Sequence, residues 1–213
     1  MTVNKHKHKL QGILFDWDNT IVDNHALTLQ AKRNLFRRMH VAFPDNLSHY
    51  TASRRNLFRQ YFPDKIAEAN EVFDQELAKF DYIDLNLFPD VLVTLKILQD
   101  KNLAIGIVSN KRSDILNKEI EYFKMQDLFQ VVVGSGDTEY DKPNPEPLLY
   151  AISSLQLDKK NVLFIGDSVI DFECASDSGC AFIGYRLHLD GCSFTTIDNH
   201  LALIDILNSE FLI

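Results

Sequence analysis

Short apolar runs alternate with longer amphipathic stretches along most of the chain. The runs have the length of β-strands, whereas the stretches between them repeat apolar residues with a helical period. The predicted strands are 12–16, 103–109, 129–134, 162–167 and 181–185. Strands that alternate with helices are typical of a parallel sheet covered on both faces. The pattern therefore predicts an α/β fold whose core is a Rossmann-like parallel sheet.

The interval between residues 21 and 88 interrupts this alternation, because it contains no strand-like run. Its apolar residues instead indicate helices at 27–40, 53–62 and 65–80. A single crossover helix does not need so many residues. We therefore predict an α/β core domain formed by 1–21 and 89–213, and an all-helical insert, 22–88, in the position that a cap would occupy.

Composition and charge argue against some classes of binding partner for this protein. The chain has 213 residues and a formal net charge of -8. This acidic balance argues against a general nucleic-acid binder, which carries a basic surface. No apolar stretch has the length of a signal peptide or a membrane span. The three cysteines fall late in the chain without metal-ligand spacing, which favours reduced thiols. We expect a cytoplasmic protein without membrane or nucleic-acid partners, and the sequence carries no signal for its oligomeric state.

Two carboxylates follow the first predicted strand, in the segment Asp16-Trp17-Asp18. Residues i and i+2 of an extended chain share a face, so Asp16 and Asp18 can approach one site while Trp17 packs in the interior. A divalent cation, a phosphate-bearing substrate or a shifted protonation would relieve the repulsion between the carboxylates. An acidic turn that merely closes the strand is the alternative.

Polar residues also follow the later strands, at the edge where parallel sheets bind ligands. The second strand ends in Ser109-Asn110-Lys111 and opens a helix, so the Ser109 hydroxyl and adjacent amides are placed to hold a phosphate oxygen. A simple helix cap is the alternative there. After the third strand, Pro143 restricts the backbone of Lys142, which favours a directed charge over a solvent-exposed side chain.

The fourth strand ends in Gly166-Asp167, and Asp171 follows one helical turn later. Glycine allows the close approach of another group to the backbone. Asp167 is therefore a candidate metal ligand, whereas Asp171 has the alternative role of a helix cap.

Taken together and in this order, the four strand-end motifs resemble those of the haloacid dehalogenase superfamily. The motifs are Asp16-x-Asp18-x-Thr20, Ser109-Asn110, Lys142-Pro143 and Gly166-Asp167-x-x-x-Asp171. The insert after the first motif looks like the C1 cap of phosphoglycolate phosphatase-like members. Asn19 stands where many relatives have glycine, a small departure because asparagine tolerates left-handed backbone geometry.

The resemblance implies a phosphatase mechanism. Asp16 would be the nucleophile that forms an aspartyl-phosphate, and Asp18 would be the general acid and base. Lys142, Ser109 and the amides near Asn110 would neutralise the transferring phosphoryl oxygens, and Lys142 would also hold Asp16. Thr20 would orient the first loop at the substrate, through its hydroxyl or as a cap.

The resemblance also implies Mg²⁺ as cofactor. Its ligands would be the Asp16 side chain, the Asp18 main-chain carbonyl and Asp167, with Asp171 supporting them from behind and water completing the octahedron.

The substrate implied is a small phosphorylated metabolite, for which phosphoglycolate is the best single candidate. Basic residues of the insert between 32 and 59 include Lys32, Arg54 and Arg55, and one or two of them are expected to reach the site. Solvated helix faces are the alternative for the others.

Three rival functions remain. A phosphomutase of the same fold typically has a cap histidine about a dozen residues past the nucleophile, where this chain has Thr28. A dehalogenase generally lacks an aspartate at the position of Asp18, because no leaving oxygen needs a proton. A non-catalytic interaction protein would have no use for the intact acidic set. The phosphomutase is therefore the main alternative to the phosphatase.

Overall fold

Strands and helices alternate through a computed structural model of the chain, which describes residues 8–45, 47, 54–80, 82–189 and 191–212. The strands, β1 to β10, are His8–Lys9, Gly12–Phe15, Val22–Asp23, Asn86–Leu87, Ala104–Arg112, Val131–Ser135, Val162–Gly166, Ala181–Tyr185, Thr195–Ile197 and Phe211–Leu212. The α-helices, α1 to α8, are His25–Arg38, Arg54–Tyr61, Ile66–Leu77, Val91–Asp100, Ser113–Tyr122, Glu146–Ser154, Val169–Ser178 and Leu201–Glu210.

Six parallel strands form the central sheet, in the order β6-β5-β2-β7-β8-β9. This confirms the predicted parallel α/β core, and five of the six strands are those that the apolar runs indicate. The sequence pattern does not predict the sixth strand, β9, because its three residues, Thr195–Ile197, are too few to show a period.

Both faces of the sheet are covered by helices, as its central strand shows. Ile13 and Phe15 pack into an apolar cluster with residues of α4, α5 and α8, whereas Leu14 packs into a second cluster with residues of α6 and α7. All three side chains have no exposed surface. The alternation of side chains along a strand therefore places apolar residues on both faces, which explains the continuous apolar run.

The helices α1, α2 and α3 form an apolar cluster of their own. Its aromatic members include Phe36, Phe58, Phe62 and Phe73, whose rings meet edge to face. These helices agree with the predicted insert, although the first residue of the expected helix 53–62 lies outside the described residues. The division of the chain at 22 and 88 stays a prediction.

A short antiparallel pair, β3 with β4, joins the two ends of this helical segment. The sequence pattern does not indicate these strands, since two residues cannot show an alternation. Val22 pairs with Leu87 and Asp23 with Asn86. The chain therefore leaves the sheet and returns to it at neighbouring points.

Capping interactions set the helix boundaries near the strand ends. Helix α7 begins after Ser168 with a capping box in which Ser168 and Asp171 bond reciprocally, and it ends at Gly179, whose φ is 76°. Helix α5 begins at Ser113, so the expectation that Ser109-Asn110-Lys111 opens a helix is wrong, because strand β5 continues to Arg112. At the start of α6, the Asn144 side chain accepts a hydrogen bond from the Glu146 amide at 2.9 Å.

Two further observations bear on the composition. The cysteines Cys174, Cys180 and Cys192 are free. Within the described part of the chain, no helix has both the length and the apolar character needed to cross a bilayer.

Candidate active site

The carboxyl ends of β2, β5 and β7 meet at one edge of the sheet, and the predicted site residues gather there. Asp16 follows β2, Ser109 lies near the end of β5, and Asp167 follows β7. The Asp16 amide continues the sheet by donating to the Ile165 carbonyl at 2.8 Å, which fixes its position. These residues line a cavity of about 1070 Å³ that helices α1 to α3 also line. Parallel strands therefore bring the first, second and fourth motifs together, as predicted.

Lys142 joins two of the carboxylates. Its Nζ lies 2.7 Å from Asp16 Oδ1 and 2.6 Å from Asp171 Oδ1, and its side chain is only 2% exposed. Burial acts to lower the pKa of the Lys142 ammonium, but Asp16 and Asp171 act more strongly and raise it. Lys142 is therefore a fixed positive charge beside Asp16, and not a solvent-exposed lysine.

The negative charge of the Asp16, Asp167 and Asp171 carboxylates exceeds the positive charge that Lys142 provides. Burial raises the pKa of Asp16 to about 7, with Lys142 opposing this and Asp171 and Asp18 adding to it. Burial and the charges of Asp16 and Asp171 likewise raise the pKa of Asp167 well above its usual value. Both groups would ionise at lower pH if a further cation lay between them.

The donor set fits a hard divalent cation. Carboxylate oxygens of Asp16, Asp167 and Asp171 lie within 4.8 Å of one another. Asp171 is already engaged, because Oδ1 contacts Lys142 while Oδ2 accepts hydrogen bonds from the Ser168 amide and hydroxyl. Asp16 and Asp167 are thus the side chains that could hold Mg²⁺, with Asp171 bracing the site through Lys142. The assignment of the Asp18 main-chain carbonyl as a further ligand stays a prediction.

Gly166 allows the site to be this dense. A Cβ atom at Gly166 would lie 2.5 Å from the Asp171 side chain. Only glycine therefore lets β7 run beside the buried carboxyl group, which is the close approach that the sequence motif indicated.

Asp18 lies beside this cluster and lines the same cavity, with its side chain 32% exposed. Its Oδ1 accepts hydrogen bonds from Lys111 Nζ, at 2.6 Å, and from the Asn24 side-chain amide. Trp17 points the other way, as predicted, and is fully buried between Phe123 and Phe129.

A buried glutamate completes this part of the site. Both oxygens of Glu119 contact Lys111 Nζ, at 2.7 and 2.6 Å, and Oε2 also accepts a hydrogen bond from Trp17 Nε1 at 2.7 Å. Burial raises the pKa of Glu119, which Lys111 opposes. Burial acts to lower the pKa of Lys111, but Asp18 and Glu119 outweigh it and raise that pKa.

The two residues of the second motif, Ser109 and Asn110, make different contacts. Ser109 is 5% exposed, and its hydroxyl accepts a hydrogen bond from the Lys111 amide at 3.2 Å. The Asn110 side chain pairs with the backbone of Lys142, donating to its carbonyl and accepting from its amide at 2.9 Å each. The Asn110 side chain therefore fixes the loop that carries Lys142, and its expected contact with substrate stays a prediction.

Thr20 is placed apart from the cavity. Its side chain is fully buried, and among the described residues its hydroxyl has no hydrogen-bond partner. Asn19 has a φ of 60°, the left-handed geometry that its motif position allows. The assignment of Thr20 to substrate binding stays a prediction.

Of the basic residues between 32 and 59, Lys32 and Arg54 line the cavity. Burial lowers the pKa of Lys32, against the charges of Asp167 and Asp18. Arg54 pairs with Asp74 at 2.7 Å. Arg55 and Arg59 line a separate cavity of about 620 Å³, which Lys142 and Pro143 also line. Two of the basic residues, Lys32 and Arg54, therefore line the cavity, which agrees with the expectation that one or two would reach the site.

Sequence reasoning did not assign Asn24 or Glu119 to the site. For Glu119 a signal exists, since it lies on the buried face of α5 together with Leu116 and Ile120. An acidic residue at a core position of an amphipathic helix requires a buried partner. Nothing in the sequence around Asn24 indicates its contact with Asp18.

Comparisons with known proteins agree with this geometry. A family model described as haloacid dehalogenase-like hydrolase matches residues 13–185. A phosphoglycolate phosphatase of Yersinia pestis is 29% identical over 186 residues, which cover 82% of this chain and 80% of that protein. A phosphoglycolate phosphatase of Aquifex aeolicus is 26% identical over 174 residues, covering 80% and 82% respectively.

Solved structures show the same fold. A HAD-superfamily hydrolase from Ehrlichia chaffeensis has a TM-score of 0.69 and 26% identity, and the match covers 95% of this chain and 98% of that one. A hydrolase from Pseudomonas syringae has a TM-score of 0.83 at 19% identity, with 95% and 100% covered.

Proposed function

Since the chain belongs to the haloacid dehalogenase-like hydrolases, we propose that it is a Mg²⁺-dependent phosphatase that hydrolyses a small phosphorylated metabolite through an aspartyl-phosphate on Asp16. The observation that carries the proposal is the buried contact of Asp16 with Lys142, beside Asp167 and at the wall of a cavity. A carboxylate held in place beside an excess of negative charge suits attack on phosphorus once a cation balances that charge.

In the first step, an oxygen of the Asp16 carboxylate forms a bond to phosphorus as the ester P–O bond breaks. Asp18 gives its proton to the departing alkoxide, which leaves as the alcohol. Bound Mg²⁺, held by Asp16 and Asp167, would supply positive charge against the phosphoryl oxygens. Lys142 fixes one Asp16 oxygen through its ion pair, so that the other oxygen is the one that attacks.

In the second step, the Asp18 carboxylate takes a proton from water as the water oxygen bonds to phosphorus. The bond between phosphorus and the Asp16 oxygen breaks, which restores the Asp16 carboxylate and releases inorganic phosphate. The Ser109 hydroxyl and adjacent amides donate hydrogen bonds to the phosphoryl oxygens in both steps. The sum is one ester and one water converted to one alcohol and one phosphate.

The helical segment, 22–88, is proposed to act as the cap that closes over the substrate and excludes water. Lys32 on α1 lines the cavity that Asp18 and Asp167 also line, which suits an acidic substrate. Phosphoglycolate is the first candidate, supported by the names of the relatives from Yersinia pestis and Aquifex aeolicus. The expected cytoplasmic location stays a prediction.

Phosphate release tests the proposal. The parent protein with Mg²⁺ should release inorganic phosphate from phosphoglycolate or another small ester, and Asp16→Asn should abolish this while the protein stays folded. Asp100→Asn, on the exposed surface of α4, is the matched control and should keep full activity. Turnover by Asp16→Asn within tenfold of the parent would remove Asp16 from the role of nucleophile. An isomerised ester without free phosphate would instead favour the phosphomutase.

A further inference from the structure

A chain of hydrogen bonds runs from the interior of the fold to the Asp18 side chain. The Trp17 indole donates to Glu119, Lys111 donates to both oxygens of Glu119, and the same ammonium reaches Asp18 Oδ1. The distances lie between 2.6 and 2.7 Å. Resting on the proposed phosphatase function, we propose that Lys111, braced by Glu119, is a positioning residue that holds the Asp18 carboxyl group in the orientation used for proton transfer.

The inner end of this chain is rigid. Trp17 has no exposed surface and packs against Phe123 and Phe129, with ring centroids 6.4 and 6.3 Å apart. Glu119 is 5% exposed on the inner face of α5. A buried carboxylate needs strong partners, and Glu119 has both an ammonium and an indole N–H. Glu119 is therefore a fixed point against which Lys111 is held.

The outer end of this hydrogen-bond chain is the Asp18 side chain, which is the part that would otherwise move. The Asp18 side chain is 32% exposed, whereas Lys111 is 13% exposed. Asn24 adds a second donor to the same Oδ1 atom. With both of these donors on Oδ1, Oδ2 is the oxygen left to exchange a proton with the leaving group. Lys111 thus acts on the reaction through Asp18.

If the ion pair of Lys111 only stabilised the fold, its removal would have a different experimental effect. Such a pair would lower the free energy of unfolding when broken, without changing which esters are hydrolysed. A lysine that binds phosphate directly would raise KM for every ester alike. A residue that positions the general acid matters most when the leaving group is a poor one, because a good leaving group departs without a proton.

The test compares an alkyl phosphate, which has a poor leaving group, with p-nitrophenyl phosphate, which has a good one. Lys111→Met should lower kcat/KM, which reports the first step, by about tenfold or more for the alkyl ester and by less than about threefold for p-nitrophenyl phosphate. Hydrolysis of the aspartyl-phosphate is common to both esters, so kcat alone does not separate them. Lys111→Arg should recover much of the loss, since arginine can still bridge both carboxylates. Glu119→Gln should show the same selective loss, to a smaller extent.

Controls separate positioning from stability. Lys96→Met on α4 and Glu121→Gln on α5 remove exposed charges of the same kinds and should change neither ester. Circular dichroism reports whether each variant is folded, because the Trp17 indole contacts Glu119 and its fluorescence would respond to Glu119→Gln directly. In an Asp18→Asn background, Lys111→Met should have no further effect on kcat, because the group that it positions is already disabled.

Equal losses of kcat/KM for the two esters, whether through kcat or through KM, or an additive loss in the Asp18→Asn background would each overturn the inference while leaving the phosphatase intact. A parent protein that releases phosphate from neither ester would overturn the proposed function, and the inference with it.

Discussion

Replacing Lys142 by methionine should destabilise the metal-free protein by about 3–5 kcal/mol, the usual cost of removing one partner from a buried ion pair. The structure favours the upper part of this range, because Lys142 serves two carboxylates that are 8% and 1% exposed. Methionine fills most of the volume of the lysine stem, so the loss reports charge more than packing.

The loss should depend on pH, with a sign that follows from Asp16. The pKa of Asp16 is already about 7 in the folded protein and 3.8 as its ordinary value, and Lys142 is what opposes a further rise. Without Lys142 the folded state keeps a proton that the unfolded chain loses above about pH 4. Stability then falls as pH rises, so the loss should be about 1–2 kcal/mol larger at pH 8 than at pH 6.

Urea unfolding in EDTA at both pH values measures these quantities, with Lys96→Met as the control for removing an exposed lysine. The double variant Lys142→Met with Asp171→Asn should recover part of the loss, because it removes the buried Asp171 charge that Lys142 no longer balances. Mg²⁺ should also stabilise Lys142→Met. A Lys142→Met protein that unfolds within about 1 kcal/mol of the parent at pH 8 would refute the view of Lys142 as the counter-charge of this cluster.

Three further predictions concern the proton donor, the cation and a histidine outside the site. Asp18→Asn should bind Mg²⁺ normally but lose at least about a hundredfold in kcat on alkyl phosphates, and full activity with normal binding would contradict its role. EDTA should stop phosphate release, Mg²⁺ should restore it and Ca²⁺ should restore it poorly, because Ca²⁺ prefers longer bonds and more ligands; activity that survives exhaustive chelation would exclude the cation. Burial lowers the pKa of His200 from 6.5 to about 4, so the unfolded chain takes up a proton first as pH falls. Stability should therefore decrease by about 3 kcal/mol between pH 6.5 and 4 through this group, and His200→Gln should flatten that part of the curve relative to His188→Gln.

The sequence predicts the parallel sheet well because its strands are buried on both faces. Ile13, Leu14 and Phe15 read as one apolar run for that reason, and the run shows where the strand ends. The meeting of Asp16 with Asp167 and Lys142 is predictable for a related reason, since strand ends in a parallel sheet share an edge. What the sequence could not show are the contacts made across that edge.

Glu119 illustrates the limit. It meets Trp17 across 102 positions of sequence, so no local pattern relates the two. Asn110 is a second case. Its side-chain amide donates a hydrogen bond to the Lys142 backbone, 32 positions away in the sequence, although it follows Ser109 directly in the motif. The strands β3 and β4 are a third, as two residues each show no period. Local patterns report burial and periodicity, whereas the identity of a distant partner depends on the assembled fold.

The pairing of β3 with β4 has a consequence for how such a protein can change. Because Val22 lies opposite Leu87, the segment between them begins and ends at one place on the core. Its length and internal helices can vary without shifting the register of any strand in the six-stranded sheet, since the cost of closing a longer loop grows only slowly. A lineage could therefore exchange the residues that select a substrate while Asp16 and Lys142 keep their positions.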